Sequence, residues 1–160
     1  MSKVFRQKPL APDELLGRVE NDGKVYESRF GPDKIVGRVE LDSGKIFESR
    51  LGPDKHIGRV ALDNGRVYRA RLGPDEYVGR VDSDGKLHRH IAFAPDEYLG
   101  RVDNFVSYAQ TGAALLLLAF PAWEETQAEI RKAADDKKAE AAKQAEMKKA
   151  DDDKKNERPA

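Results

Sequence analysis

The stretch Lys24-Val25-Tyr26-Glu27-Ser28-Arg29-Phe30-Gly31-Pro32-Asp33-Lys34-Ile35-Val36-Gly37-Arg38-Val39-Glu40 contains every element of a unit that recurs along the chain. Gly-Arg-Val occurs five times, with Gly17, Gly37, Gly58, Gly79 and Gly100 followed by Arg18, Arg38, Arg59, Arg80 and Arg101. Pro-Asp also occurs five times, ending in Asp13, Asp33, Asp54, Asp75 and Asp96. A third register runs basic, apolar, aromatic: Lys3-Val4-Phe5, Lys24-Val25-Tyr26, Lys45-Ile46-Phe47, Arg66-Val67-Tyr68 and, ending in a histidine, Lys86-Leu87-His88. Three registers that keep a common spacing of about 20–21 residues define an internal repeat, and a repeat sets the architecture before any local propensity does.

Each unit reads as a β-hairpin. Its first strand is of the Ile35–Glu40 type, and its second runs from Val25 to Phe30. Asn21-Asp22-Gly23 and Asp42-Ser43-Gly44 suit the positive φ angles of hairpin turns. In the second strand, Tyr26, Ser28 and Phe30 are expected on one face, with the aromatic series packing in the core. Gly-Pro-Asp then turns the chain into the next unit. The chain opens with a second strand, Lys3 to Arg6, and the last repeat element is a first strand, Leu99 to Asp103. An open array would leave an unpaired edge at each end. Pairing the two terminal strands removes both edges. The expectation is therefore a mainly β fold, a closed pseudo-five-fold ring of five hairpins whose fifth hairpin is made by the terminal strands.

This pattern resembles the five-fold β-flower proteins, a family of small bacterial proteins of uncharacterised function. The resemblance rests on the Gly-Arg-Val and Asp-Gly hairpins, on the links Glu76-Tyr77-Val78 and Glu97-Tyr98-Leu99, and on the run Gly112-Ala113-Ala114-Leu115-Leu116-Leu117-Leu118. It covers about residues 3–119 and brings no catalytic residues with it.

The run from Gly112 to Phe120 is the most apolar part of the chain and is far shorter than the roughly 20 residues that span a bilayer. It is read as a short helix, capped by Ser107 or Thr111 and stopped by Pro121, that plugs the centre of the ring, the alternatives being a docking surface for a partner and, against its length, membrane insertion. Residues 1–120 thus form the repeat domain. Residues 121–160 hold 10 Lys or Arg, 11 Asp or Glu and few large apolar side chains. They are read as a charged helix from about Ala122 to Ala150, frayed from Asp151 to Lys155. Its apolar residues Trp123, Ile130 and Met147 are the candidate partner contacts.

The chain has 160 residues, 29 basic and 29 acidic, and no Cys. Zero net charge, balanced again within each part, argues against nucleic acid. The absence of Cys excludes disulfides, a thiolate nucleophile and Cys zinc sites. The opening Met-Ser-Lys-Val-Phe-Arg lacks a secretory apolar run, so a cytoplasmic location is expected. The five Arg and five Asp form either an anion-binding and a cation-binding ring or structural groups, each Arg pairing with a carboxylate and each Asp hydrogen bonding the backbone amides of its own turn, and the structural reading is preferred. His88 and His90 share a strand face but lack further convergent ligands, so no metal or other cofactor is expected. A repeat supplies one chemical group five times, whereas an active site needs different groups at one point. The reading is a non-enzymatic structural or protein-interaction module that docks its C-terminal helix on a partner or another copy. The alternative is a glycan- or polymer-binding module using rim aromatics and Arg.

Overall fold

The computed structural model describes residues 1–156, and the chain divides into two units, Met1–Trp123 and the segment from Glu124 onward. The first unit contains ten strands: β1 (Ser2–Arg6), β2 (Glu14–Val19), β3 (Lys24–Glu27), β4 (Lys34–Val39), β5 (Lys45–Glu48), β6 (Lys55–Val60), β7 (Arg66–Arg69), β8 (Glu76–Val81), β9 (Lys86–Arg89) and β10 (Glu97–Val102). They pair in chain order as a closed antiparallel barrel. The terminal strands meet as expected, with Val4 opposite Val102 and Arg6 opposite Gly100. Every strand edge is thereby hydrogen-bonded.

Alternation explains which side chains turn inward. Val4, Val25, Ile46, Val67 and Leu87 on the odd-numbered strands are fully buried, as are Val19, Val39, Val60, Val81 and Val102 on the even-numbered ones, at no more than 4 % exposure. Burying one such side chain stabilises by about 1.5–3 kcal/mol, which makes these residues the main apolar contribution of the sheet. The hairpin turns carry glycine where the backbone demands it. Gly65, at φ 73°, also accepts the Val81 amide on its carbonyl.

On the other side of each odd strand the register slips by one residue, at Val4/Phe5, Val25/Tyr26, Ile46/Phe47 and Val67/Tyr68, and between Tyr98 and Gly100 opposite β9. The residue before each strand glycine is thus a β-bulge. Bulges add local twist and bend, which a barrel of such short strands requires.

After β10, Ser107 caps the helix α1 (Tyr108–Ala114) by accepting from the Gln110 amide. A π-helical turn, Leu115–Ala119, follows, and then the helix α2 (Phe120–Asn156). Residues 109–120 are all buried, and Ala109 and residues 113–120 form one cluster with the inward valines. Here the strand glycines find their use. A methyl group on Gly58 would run into the Tyr68 carbonyl and lie 2.7 Å from Leu116 Cδ2. The same position on Gly37 is 2.8 Å from Leu117, on Gly17 3.1 Å from Leu118 and on Gly79 3.2 Å from Leu115.

Several local expectations need correction. The odd strands end at Glu27 and its equivalents, so Phe30 lies outside β3 and is fully exposed. The aromatic series Phe5, Tyr26, Phe47, Tyr68 and His88 is only half-buried and sits on the outer wall, because the aliphatic side chain beside each aromatic takes the lumen position. Pro121 does not stop the helix. An α-turn would push its ring against the carbonyl four residues back, and the wider π-turn before it relieves that clash. The helix continues through Asn156, and neither Gly nor Pro interrupts residues 122–156. Residues 157–160 lie outside the described part of the chain.

Closure makes β1 indispensable. Deleting residues 1–8 should abolish the cooperative thermal transition by exposing the edges of both β2 and β10. A retained sharp transition in circular dichroism would contradict the seam.

Candidate functional site

The five repeat arginines stand on the outer wall, and each is joined to the Asp of the following loop. Arg38 reaches Asp54 at 3.0 Å, Arg59 reaches Asp75 at 3.0 Å, Arg80 reaches Asp96 at 2.9 Å and Arg101 reaches Asp13 at 3.3 Å. Arg18 pairs in the same way with Asp33. The arrangement is therefore five Arg–Asp pairs rather than one anion ring and one cation ring. Each pair ties a Pro-Asp loop to a strand. Both partners are partly solvated, so each contributes modestly.

The same guanidiniums cover the aromatic series. They lie 4.3 Å from the ring centre of Tyr26, 4.2 Å from Phe47, 4.1 Å from Tyr68 and 4.5 Å from Phe5. A sugar stacks on an open ring face, and here that face carries an Arg in a cation–π contact. Where the fifth aromatic would stand, His88 binds Asp82 at 3.0 Å through Nε2. His90 contacts Asp96 at 3.3 Å and packs on Tyr77 at 4.7 Å. The two histidines thus engage separate carboxylates. Among the described residues, no group of three or more His, Cys, Asp or Glu is placed to hold a metal. Burial pushes the Tyr77 and Tyr98 hydroxyls up, and Asp96 and Asp13 respectively add to that shift.

The candidate partner residues do not form one cluster. Trp123, in the first unit, is half-buried with the Arg89 guanidinium 4.0 Å from its ring centre, and its buried indole N–H has no hydrogen-bond partner. Ile130 and Met147 belong to the second unit and are exposed, at 56 % and 72 %. They lie on a helix of 37 residues, about 55 Å long.

A different set of residues stands out and escaped the sequence reading. Leu10, Phe30, Leu51, Leu72 and Phe93 are each fully exposed, at 106–111 %, one in every loop between hairpins. The available signal was positional: each lies two residues before the Pro of Pro-Asp. It was hidden because Phe30 fits the alternation of a longer strand.

No family model, curated protein or solved structure matches this chain.

The Arg–Asp pairs give a pH dependence with a definite sign. Burial acts to raise the Asp96 carboxyl, but hydrogen bonds and charge from Arg80 and His90 outweigh it and hold the group below the usual carboxylate range. A group depressed in the folded state contributes its stability above the unfolded value, near about 3.9, and loses it as pH falls through the folded value. Asp96→Asn should therefore lower Tm at pH 7, and the difference from wild type should shrink as the melts are repeated below about pH 4. An unchanged difference at low pH would show that the carboxylate charge is not what matters there.

Proposed function

We propose that the protein is a non-enzymatic structural or protein-interaction module of the five-fold β-flower type, acting in the cytoplasm, that presents α2 to a protein partner or to another copy of itself. In this reading the barrel is a pseudo-five-fold ring of five hairpins, and residues 112–120 are its plug. The observation that carries the reading is the stepwise match of Leu115, Leu116, Leu117 and Leu118 to Gly79, Gly58, Gly37 and Gly17, which lie on successive even strands. One residue of helix advances one hairpin of the ring.

The π-turn at that place supports the same reading. Successive hairpins of a five-fold ring are about 72° apart. An α-helix turns by about 100° per residue and a π-helix by roughly 80°. Over three steps the α-helix overshoots the ring by more than 80°, and the π-helix by about a third of that. The turn is the helical form that lets consecutive leucines meet consecutive hairpins.

A barrel that grips a helix in this way is a mount for the chain beyond the grip. That chain is α2, whose residues from Glu129 to Asp152 are all exposed. Its charge leaves it little tendency to fold back on an apolar surface. The outer wall offers less: its ring faces are covered by Arg and its Asp groups are paired, which counts against the glycan-binding alternative.

Removing residues 124–160 tests the proposal. The full chain should show a larger mass by light scattering than the truncated one, or should retain a partner in a native pull-down that the truncated one loses. Identical masses and identical co-purifying proteins, with the barrel still melting cooperatively, would overturn it.

A further inference from the structure

The fully exposed tips Leu10, Phe30, Leu51, Leu72 and Phe93 all belong to the rim where the loops between hairpins gather, opposite the rim of the hairpin turns. Complete exposure means that no tip packs on its neighbours or on the barrel. In three loops a glycine at positive φ follows the tip. In the other two that glycine is replaced by Ala11 or Ala94, and Leu10 and Phe93 themselves adopt the left-handed backbone, at φ 58° and 62°. In these two loops a large apolar side chain is thus kept at a backbone position that disfavours it and where it makes no folding contact.

The charge around the barrel is not even. The segments forming the tip rim, residues 6–14, 27–34, 48–55, 69–76 and 89–97, hold nine Lys or Arg and ten Asp or Glu. Five of those acids are the Asp residues already bound to the wall arginines. Nine cations therefore face five Glu. The opposite rim, residues 1–3, 20–24, 40–45, 61–66, 82–86 and 103–107, holds five Lys or Arg against eight Asp or Glu. Arg18, Arg38 and Arg80 also bind Glu20, Glu40 and Asp82 of this rim, so the wall arginines neutralise acids at both rims and a modest cation excess remains at the apolar one.

We propose that the tip rim docks on the surface of an anionic phospholipid bilayer. Isolated apolar spikes, each able to enter the acyl boundary independently, combined with surplus cations at headgroup depth, are the recognised physical recipe for peripheral attachment. A protein-docking patch would be contiguous and would pack on itself. No helix among the described residues is long and apolar enough to cross a membrane, so the attachment is peripheral and reversible.

The test uses the full chain and vesicles of phosphatidylcholine alone or mixed with about a quarter phosphatidylglycerol. The protein should sediment with the mixed vesicles, several-fold more than with the neutral ones, and salt should weaken this. The triple variant Phe30→Ser, Leu51→Ser, Leu72→Ser should lose about tenfold in bound fraction while keeping its melting curve, because these side chains support nothing in the fold. A control at the opposite rim, Leu41→Ser with Leu62→Ser, should bind as wild type does. Absence of binding to mixed vesicles, or equal binding by the triple variant, would overturn the proposal. So would a wild-type dimer in light scattering that becomes a monomer in the triple variant, which would assign the rim to a second copy.

Discussion

Four leucine side chains sit where four strand glycines leave room for them, and most of the structure can be followed outward from that contact. A glycine in the middle of a strand ordinarily weakens it. Here Gly17, Gly37, Gly58 and Gly79 cannot carry even a methyl group without meeting both a neighbouring carbonyl and a leucine. Their cost to the sheet is offset by the buried area of Leu115–Leu118. The same contact accounts for the π-turn and for a proline that the helix tolerates one turn later.

The outer wall obeys a second constraint. Ten short strands joined by Pro-Asp loops need those loops held down, and an Arg, an aromatic or histidine ring and a loop Asp recur together in the five repeats to do it. This uses up the groups that would otherwise be open to a ligand. It also decides where surplus charge can appear, namely at the two rims rather than around the wall.

The repeat spacing was legible in the sequence, and so were the hairpins, the Asp-Gly turns and the pairing of β1 with β10, because each follows from local turn chemistry or from counting strands. The apolar character of residues 112–120 and the N-cap at Ser107 could also be read. The bulges could not, and neither could the facing of the odd strands, since alternation separates Val25 from Tyr26 without saying which of the two turns inward. Hence the aromatics, the largest apolar groups, were expected inside, although Val4, Val25, Ile46, Val67 and Leu87 take that position. The exposed tips were missed because Phe30 looks like a strand residue until the strand is seen to end at Glu27. Among the candidate contacts, Trp123, Ile130 and Met147 were visible as the large apolar residues of a charged segment, and their separation follows from the helix expected from about Ala122.

Native-state hydrogen exchange tests the central contact most directly. If the leucine run and the barrel depend on each other, the amides of Leu115–Ala119 should open only with the whole first unit, with the same free energy as the amides of Val25 and Val67. Exchange of the leucine-run amides at a clearly lower free energy, while the strand amides stay protected, would mean that the barrel stands without the helix and would contradict the account.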